Sequence, residues 1–225
     1  GIDGKPCLHK DGYAKFTRAY DNRGNLIEES YFGVDGKLCL HNNGFSIATC
    51  AYDERGNRIE ESFFGADGKL CLNNSGYAKF TCKYDDRGNK TEQSYFGTDG
   101  KPCLHKNGVA KVTCKYDDRG NVEEVSYYGT DGKPCLHKNG FAKFTNKYDV
   151  RGNLTAEAYF GIDGNPSLSN EAVAKVTYKY DDRGNLLEVV CFGIDSKPCF
   201  SNYGYAKLTN KYDDRGNVEE KSYFG

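Results

Sequence analysis

The chain has 225 residues, of which 28% are charged and 37% hydrophobic, with a net charge of −1. Lysines and acids are interleaved along its length, which excludes the basic face that nucleic acid or an anionic membrane surface requires. No run approaches the roughly 18 apolar residues of a membrane-spanning helix, so membrane insertion is not expected.

Val, Ile, Leu and Phe make up only about a fifth of the chain, and 18 tyrosines supply much of the missing apolar area. With no Met, even at position 1, the chain reads as a processed product or an excerpt, and no targeting signal is legible at its start.

The segment Lys5-Pro6-Cys7-Leu8-His9 is a short, apolar-centred strand, Asp11-Gly12 a turn, and Tyr13 to Tyr20 alternates as a strand does. Asp21, Arg23, Gly24 and Asn25 then spell a type I turn closed by a glycine bulge. Leu26 to Phe32 is a second long strand, and Gly33-Val34-Asp35-Gly36 turns the chain into a new unit. The turn motif Tyr-Asp-x-Arg-Gly-Asn begins at Tyr20 and recurs at Tyr52, Tyr84, Tyr116, Tyr148, Tyr180 and Tyr212, always 32 residues on. In the fourth unit it includes Asp117, Arg119, Gly120 and Asn121.

The units are residues 1–32, 33–64, 65–96, 97–128, 129–160, 161–192 and 193–224 of a single array. Glycine every eight to twelve residues leaves no room for a useful helix. The expected fold is all-β: seven tandem hairpin repeats in an elongated or superhelical antiparallel meander. A parallel β-helix and a seven-bladed propeller are the alternatives.

The turn places Tyr20 opposite Leu26, Arg18 opposite Glu28, Phe16 opposite Ser30 and Ala14 opposite Phe32. The apolar pairs Ala19/Ile27 and Ala51/Ile59, set against the charged pairs Lys115/Glu123 and Lys211/Glu219, support that register. One face then carries Ala14, Phe16, Tyr20, Leu26 and Phe32 as core. Lys15, Thr17 and Glu29 are solvated, on a face that Tyr13 and Tyr31 leave half covered. The last unit is nearly as regular as the middle ones, and an array without capping units presents edges competent to pair. End-to-end association of copies through the terminal strands is expected, or a longer native chain.

The turn and the apolar residue after it, as in Tyr148-Asp149-Val150-Arg151-Gly152-Asn153-Leu154, resemble the YD repeats of Rhs-type proteins. The resemblance implies strand-turn-strand units that coil into a hollow shell around a toxic cargo, or that serve as cell-surface and adhesion scaffolds.

Cys7, Cys39, Cys71, Cys103, Cys135 and Cys199 share one place in the unit, with Ser167 in the same place. Cys50, Cys82 and Cys114 share another, and Cys191 stands alone where other units have an aromatic residue. Small semi-buried thiols are the simplest reading. Disulfides would imply an oxidising compartment at the cell surface or outside the cell; reduced thiols would suit the cytoplasm.

Four cysteines are followed two residues later by histidine: Cys7 and His9, Cys39 and His41, Cys103 and His105, Cys135 and His137. On a strand each pair faces one way, so stacked units offer a ladder of sulfur and imidazole to zinc or copper. Asn73, Ser169 and Ser201 interrupt that ladder. The acidic turns fit no calcium-loop pattern; their Asp residues read as turn caps and their Arg residues as partners of a neighbouring unit's acid.

Catalysis needs a unique constellation, whereas every polar feature here is multiplied along the array. The reading is a non-enzymatic structural protein without cofactor, a rod or self-assembling fibre whose first partner is itself. A protein-binding scaffold or shell segment, and the Cys/His metal ladder, are the alternatives.

Overall fold

The structure is a computed structural model that describes residues 4–225; the opening Gly1, Ile2 and Asp3 of the first repeat lie outside the described residues. The chain divides into two compact units, Gly1–Val112 with Gly129–Gly132, and Thr113–Tyr128 with Lys133–Gly225. The first holds β1 (Lys15–Tyr20), β2 (Leu26–Phe32), β3 (Ile47–Tyr52), β4 (Arg58–Phe64), β5 (Lys79–Tyr84) and β6 (Lys90–Phe96). β7 (Lys111–Tyr116) runs from the first into the second. The second continues with β8 (Val122–Tyr128), β9 (Lys143–Tyr148), β10 (Leu154–Phe160), β11 (Lys175–Tyr180), β12 (Leu186–Phe192), β13 (Lys207–Tyr212) and β14 (Val218–Phe224).

In each unit the strands hydrogen-bond in chain order and every pair is antiparallel, both within a hairpin (β1–β2) and between hairpins (β2–β3). The fold is all-β, a meander of repeated hairpins. A parallel coil has no such ladder, and a propeller would break it into separate four-stranded blades.

The turn forms as its residues dictate. The Asp21 carbonyl accepts the Gly24 N–H at 3.0 Å and the Asp21 N–H donates to the Asn25 carbonyl at 3.0 Å, with Gly24 at φ +85. Beyond the turn the register departs from expectation. Tyr20 does oppose Leu26, but Ala19 opposes Glu28, Arg18 opposes Glu29, Thr17 opposes Ser30, Phe16 opposes Tyr31 and Lys15 opposes Phe32. Ile27 is an extra residue, a second bulge that slips the ladder by one position. The same slip sets Ala51 opposite Glu60 and Lys211 opposite Glu220.

A one-residue slip exchanges the faces of the second strand alone: the Ala14 and Phe16 places keep their part in the core, where Ala78, Ala142, Phe80, Val176 and Leu208 are buried, while the two aromatic residues that end the strand change sides. Tyr31 and its counterparts Phe63, Tyr95 and Tyr159 are buried, together with Phe45 and Phe141 of the Tyr13 class. Phe32 sits instead on the opposite face beside Lys15, whose ammonium lies 5.5 Å from its ring.

Among the described residues the expected third strand of the repeat does not form. Two turns within twelve residues, one at Gly33–Gly36 and one at His41–Gly44, leave room only for an isolated bridge, Phe32 to Leu38. The equivalent position is a proline in several repeats, where no N–H exists to extend a ladder. This arm folds over the aromatic face: the Cys39 N–H donates to the Tyr31 carbonyl at 3.0 Å, and Tyr31, Phe45, Ala48 and Phe63 form one buried cluster. In the second unit Phe141, Tyr159, Val173, Val176 and Cys191 form another.

Candidate functional site

Recurrent Arg, Tyr and Asn side chains reach across the joints between repeats, while the recurrent Asp closes its own turn. In the hairpin turn, Asp117 Oδ1 accepts the N–H groups of Arg119 at 2.9 Å and Asn121 at 2.8 Å, while Oδ2 accepts Asn121 Nδ2–H at 2.9 Å. Asp21 makes the same set with Arg23 and Asn25. These bonds, the Asn side chain first, hold the turn aspartates below their ordinary range.

Folded-state acidity below the unfolded value contributes stability that is present above pH 3.8 and is lost as pH falls from there through the folded value. Melting temperature, followed by circular dichroism, should therefore hold steady near neutrality and drop below about pH 4. Asp117→Asn sets a donor against Asn121 Nδ2–H, so it should melt lower at pH 7 and lose less on acidification. A wild-type curve flat to about pH 2.5 would refute the assignment.

The arginine reaches the next turn, and mainly its backbone rather than the acid expected from sequence. Arg23 donates to the Glu54 carbonyl at 2.7 Å and to the Asp53 carbonyl at 3.0 Å. Arg119 donates to the carbonyls of Asp149 and Val150, and Arg183 to that of Asp214 at 2.6 Å. Arg55 and Arg151 bond the carbonyls of Asp86 and Asp182, with those carboxylates 3.5 and 3.9 Å away. The motif's tyrosine ties backwards: Tyr52 Oη donates to the Leu26 carbonyl at 3.0 Å and Tyr148 Oη to that of Val122 at 3.0 Å.

At the opposite end of the repeat lies a second ladder that the sequence reading missed. Asn42 Nδ2 donates to the Lys10 carbonyl at 2.8 Å, Asn74 Nδ2 to Asn42 at 2.6 Å, Asn170 Nδ2 to Lys138 at 2.8 Å and Asn202 Nδ2 to Asn170 at 2.6 Å. The recurrence of Asn at this position was the available signal.

In the pairs Cys39/His41 and Cys103/His105 the cysteine and the histidine have separate partners. The Cys39 thiol points to the Gly12 carbonyl at 3.7 Å and the Cys103 thiol to that of Gly76 at 3.6 Å. His41 lies among rings instead, with centroids 4.6 Å from Tyr31, 5.7 Å from Phe45 and 5.8 Å from Tyr13. His105 packs 4.9 Å from Tyr95 and His137 4.7 Å from Tyr127; His9 is 5.3 Å from Tyr13 and 3.1 Å from the Asp11 carboxylate.

Nδ1 of His41, His105 and His137 accepts the backbone N–H two residues on, at 3.0, 3.1 and 3.2 Å. Asn73 Oδ1 and Ser169 Oγ accept the same N–H in their repeats, which explains why His, Asn and Ser interchange there: each caps a turn. Among the described residues no three His, Cys, Asp or Glu side chains are grouped as metal ligands, and no cysteine is in a disulfide. Cys7 is exposed and Cys135 half-buried.

The face away from the aromatics carries crossed ion pairs. Glu188 lies between Lys179 at 2.7 Å and Lys207 at 2.6 Å, and Glu124 between Lys115 at 2.9 Å and Lys143 at 3.6 Å. The arm leaves Leu8, Leu40, Leu72, Leu104, Leu136, Leu168 and Phe200 exposed, one per repeat. Among the described residues no helix is long and apolar enough to cross a membrane.

No protein-family model and no curated protein matches the chain. In structure it is similar to part of a Photorhabdus luminescens Tc holotoxin pore carrying a TccC3 mutation, with TM-score 0.58 and 16% identity over 95% of this chain. It is also similar to part of the crystal structures of TcdB2-TccC3-TEV, at 0.57 and 16% over 96%, and TcdB2-TccC3-Cdc42, at 0.54 and 15% over 92%. The chain spans 9% of the length of each of these proteins. At such identities the likeness is one of fold alone.

Proposed function

We propose that the chain is a structural, non-enzymatic stretch of β-repeat wall, of the kind that the YD resemblance and the Tc toxin structures suggest. One observation carries the reading: the recurrent polar side chains are spent on closing each turn and on joining one hairpin to the next. Arg23 and Asn42 reach forward or back by one repeat to backbone carbonyls, and the turn aspartates saturate their own loops. Groups committed in this way hold geometry and leave little over for a substrate.

The exposed row of Leu8, Leu40, Leu72 and Leu104 favours a second reading, in which the wall also holds a protein against its arms. End-to-end association is the competing proposal. Negative-stain electron microscopy across a concentration series, with reductant throughout, separates them. A wall segment gives discrete particles whose size does not change with concentration; filaments of uniform width would replace it with a self-assembling fibre.

A further inference from the structure

Cys191 and Cys199 occupy a juxtaposition that no other repeat reproduces. The bridge Phe192 to Pro198 sets residues 191 and 199 directly opposite one another, and the Cys199 N–H donates to the Cys191 carbonyl at 3.0 Å. Residues opposed in this way have Cα atoms about 5.5 Å apart and side chains on one face, inside the roughly 4.4–6.8 Å that a disulfide spans. In the other repeats the first of these places holds an aromatic residue, such as Tyr31, Phe63 or Tyr159. Cys191 is buried in the core of the second unit, and Cys199 packs against that same cluster. Cys199 lies outside the strands and its thiol makes only a long contact, 3.8 Å, to the Ala172 carbonyl, so it is able to turn.

We propose that Cys191 and Cys199 form a redox-sensitive pair that closes into a disulfide by exchange with a low-molecular-weight disulfide, stapling the arm to β12. The less buried Cys199 attacks first as its thiolate, forming a mixed disulfide and releasing one small thiolate. The Cys191 thiolate then attacks the Cys199 sulfur and expels the second. Two protein thiols are oxidised, one small disulfide is reduced to two thiols, and the two protons pass to the released thiolates. Burial pushes both cysteine thiols up, so closure quickens as pH rises.

The test uses the whole chain, folded, with excess oxidised glutathione. Remaining thiols are alkylated and the chain is cleaved before Asp195, which separates the two cysteines. The expected product is a linked pair of peptides, two hydrogens lighter than their sum, together with a higher melting temperature than the reduced chain. Cys191→Tyr restores the aromatic residue of neighbouring repeats, and Cys199→Ser copies Ser167; each should abolish that link and the rise in melting temperature. Recovery of both peptides alkylated, or each carrying only glutathione, would overturn the proposal. So would linkage confined to other cysteines. Should one variant fail to fold, the other provides the comparison.

Discussion

Phe63→Ala should remove about 3–5 kcal/mol, the usual consequence of emptying an aromatic site in a core that cannot close over it. Phe63 is 5% exposed, with its ring 4.8 Å from Phe45 and 5.8 Å from Tyr77, so it bridges rings contributed by two successive arms. Such ring contacts add about 0.5–1.5 kcal/mol each beyond the area they bury. In an array each hairpin is stabilised chiefly by its neighbours, so the loss appears as an early melting phase rather than a uniform shift. Phe200→Ala is the control: that ring is 61% exposed, and its removal should change stability by about 0.5 kcal/mol or less. Denaturant titration of both variants decides; equal losses would show that the aromatic face is not the core.

Gly44→Val should be nearly as costly, for two separable reasons. At φ +91 a β-branched residue is strained by about 1–3 kcal/mol. Its Cβ would also stand 2.8 Å from Asn74 Oδ1 and 3.4 Å from Asn74 N, displacing the residue that reaches the Asn42 and Asn43 carbonyls. Loss of those bonds adds about 1–2 kcal/mol. Gly36→Val isolates the first reason, because Gly36 is at φ +75 with nothing within 4 Å of its Cβ position. Thermal melts of the two variants should differ, with Gly44→Val the lower. Coincident melts would mean that the Asn socket contributes nothing.

The hairpin turn was legible because its chemistry is local. Asp21, Gly24 and Asn25 satisfy one another within five residues, and the Asp–Gly–Asn spacing states this directly. The register was not legible, because the second bulge carries no punctuation. Ile27, Ile59, Thr155 and Leu187 occupy that place, residues at home in any strand, and the slip they introduce brought Tyr31 inside and put Phe32 on the other face. The ladders were half legible. Repetition of Arg and Asn announced a shared duty, but an acceptor that is a backbone carbonyl leaves no trace in the side chains opposite. The histidines were half legible for a related reason: imidazole stands out as a ligand in a sequence, and its turn-capping duty shows only when Nδ1 of His41 is set beside the Asn73 oxygen one repeat later.

Because Arg119 grips the carbonyl of Val150 as readily as Arg23 grips that of Glu54, the socket is blind to the residue that occupies it. Any 32-residue block therefore offers the same plug at one end and the same receptacle at the other, whatever its surface has become. Cutting a block out, copying it, or exchanging it with a distant one recreates the same arginine splice. The length of such an array is free to drift by whole units through unequal recombination, while its faces diversify one block at a time.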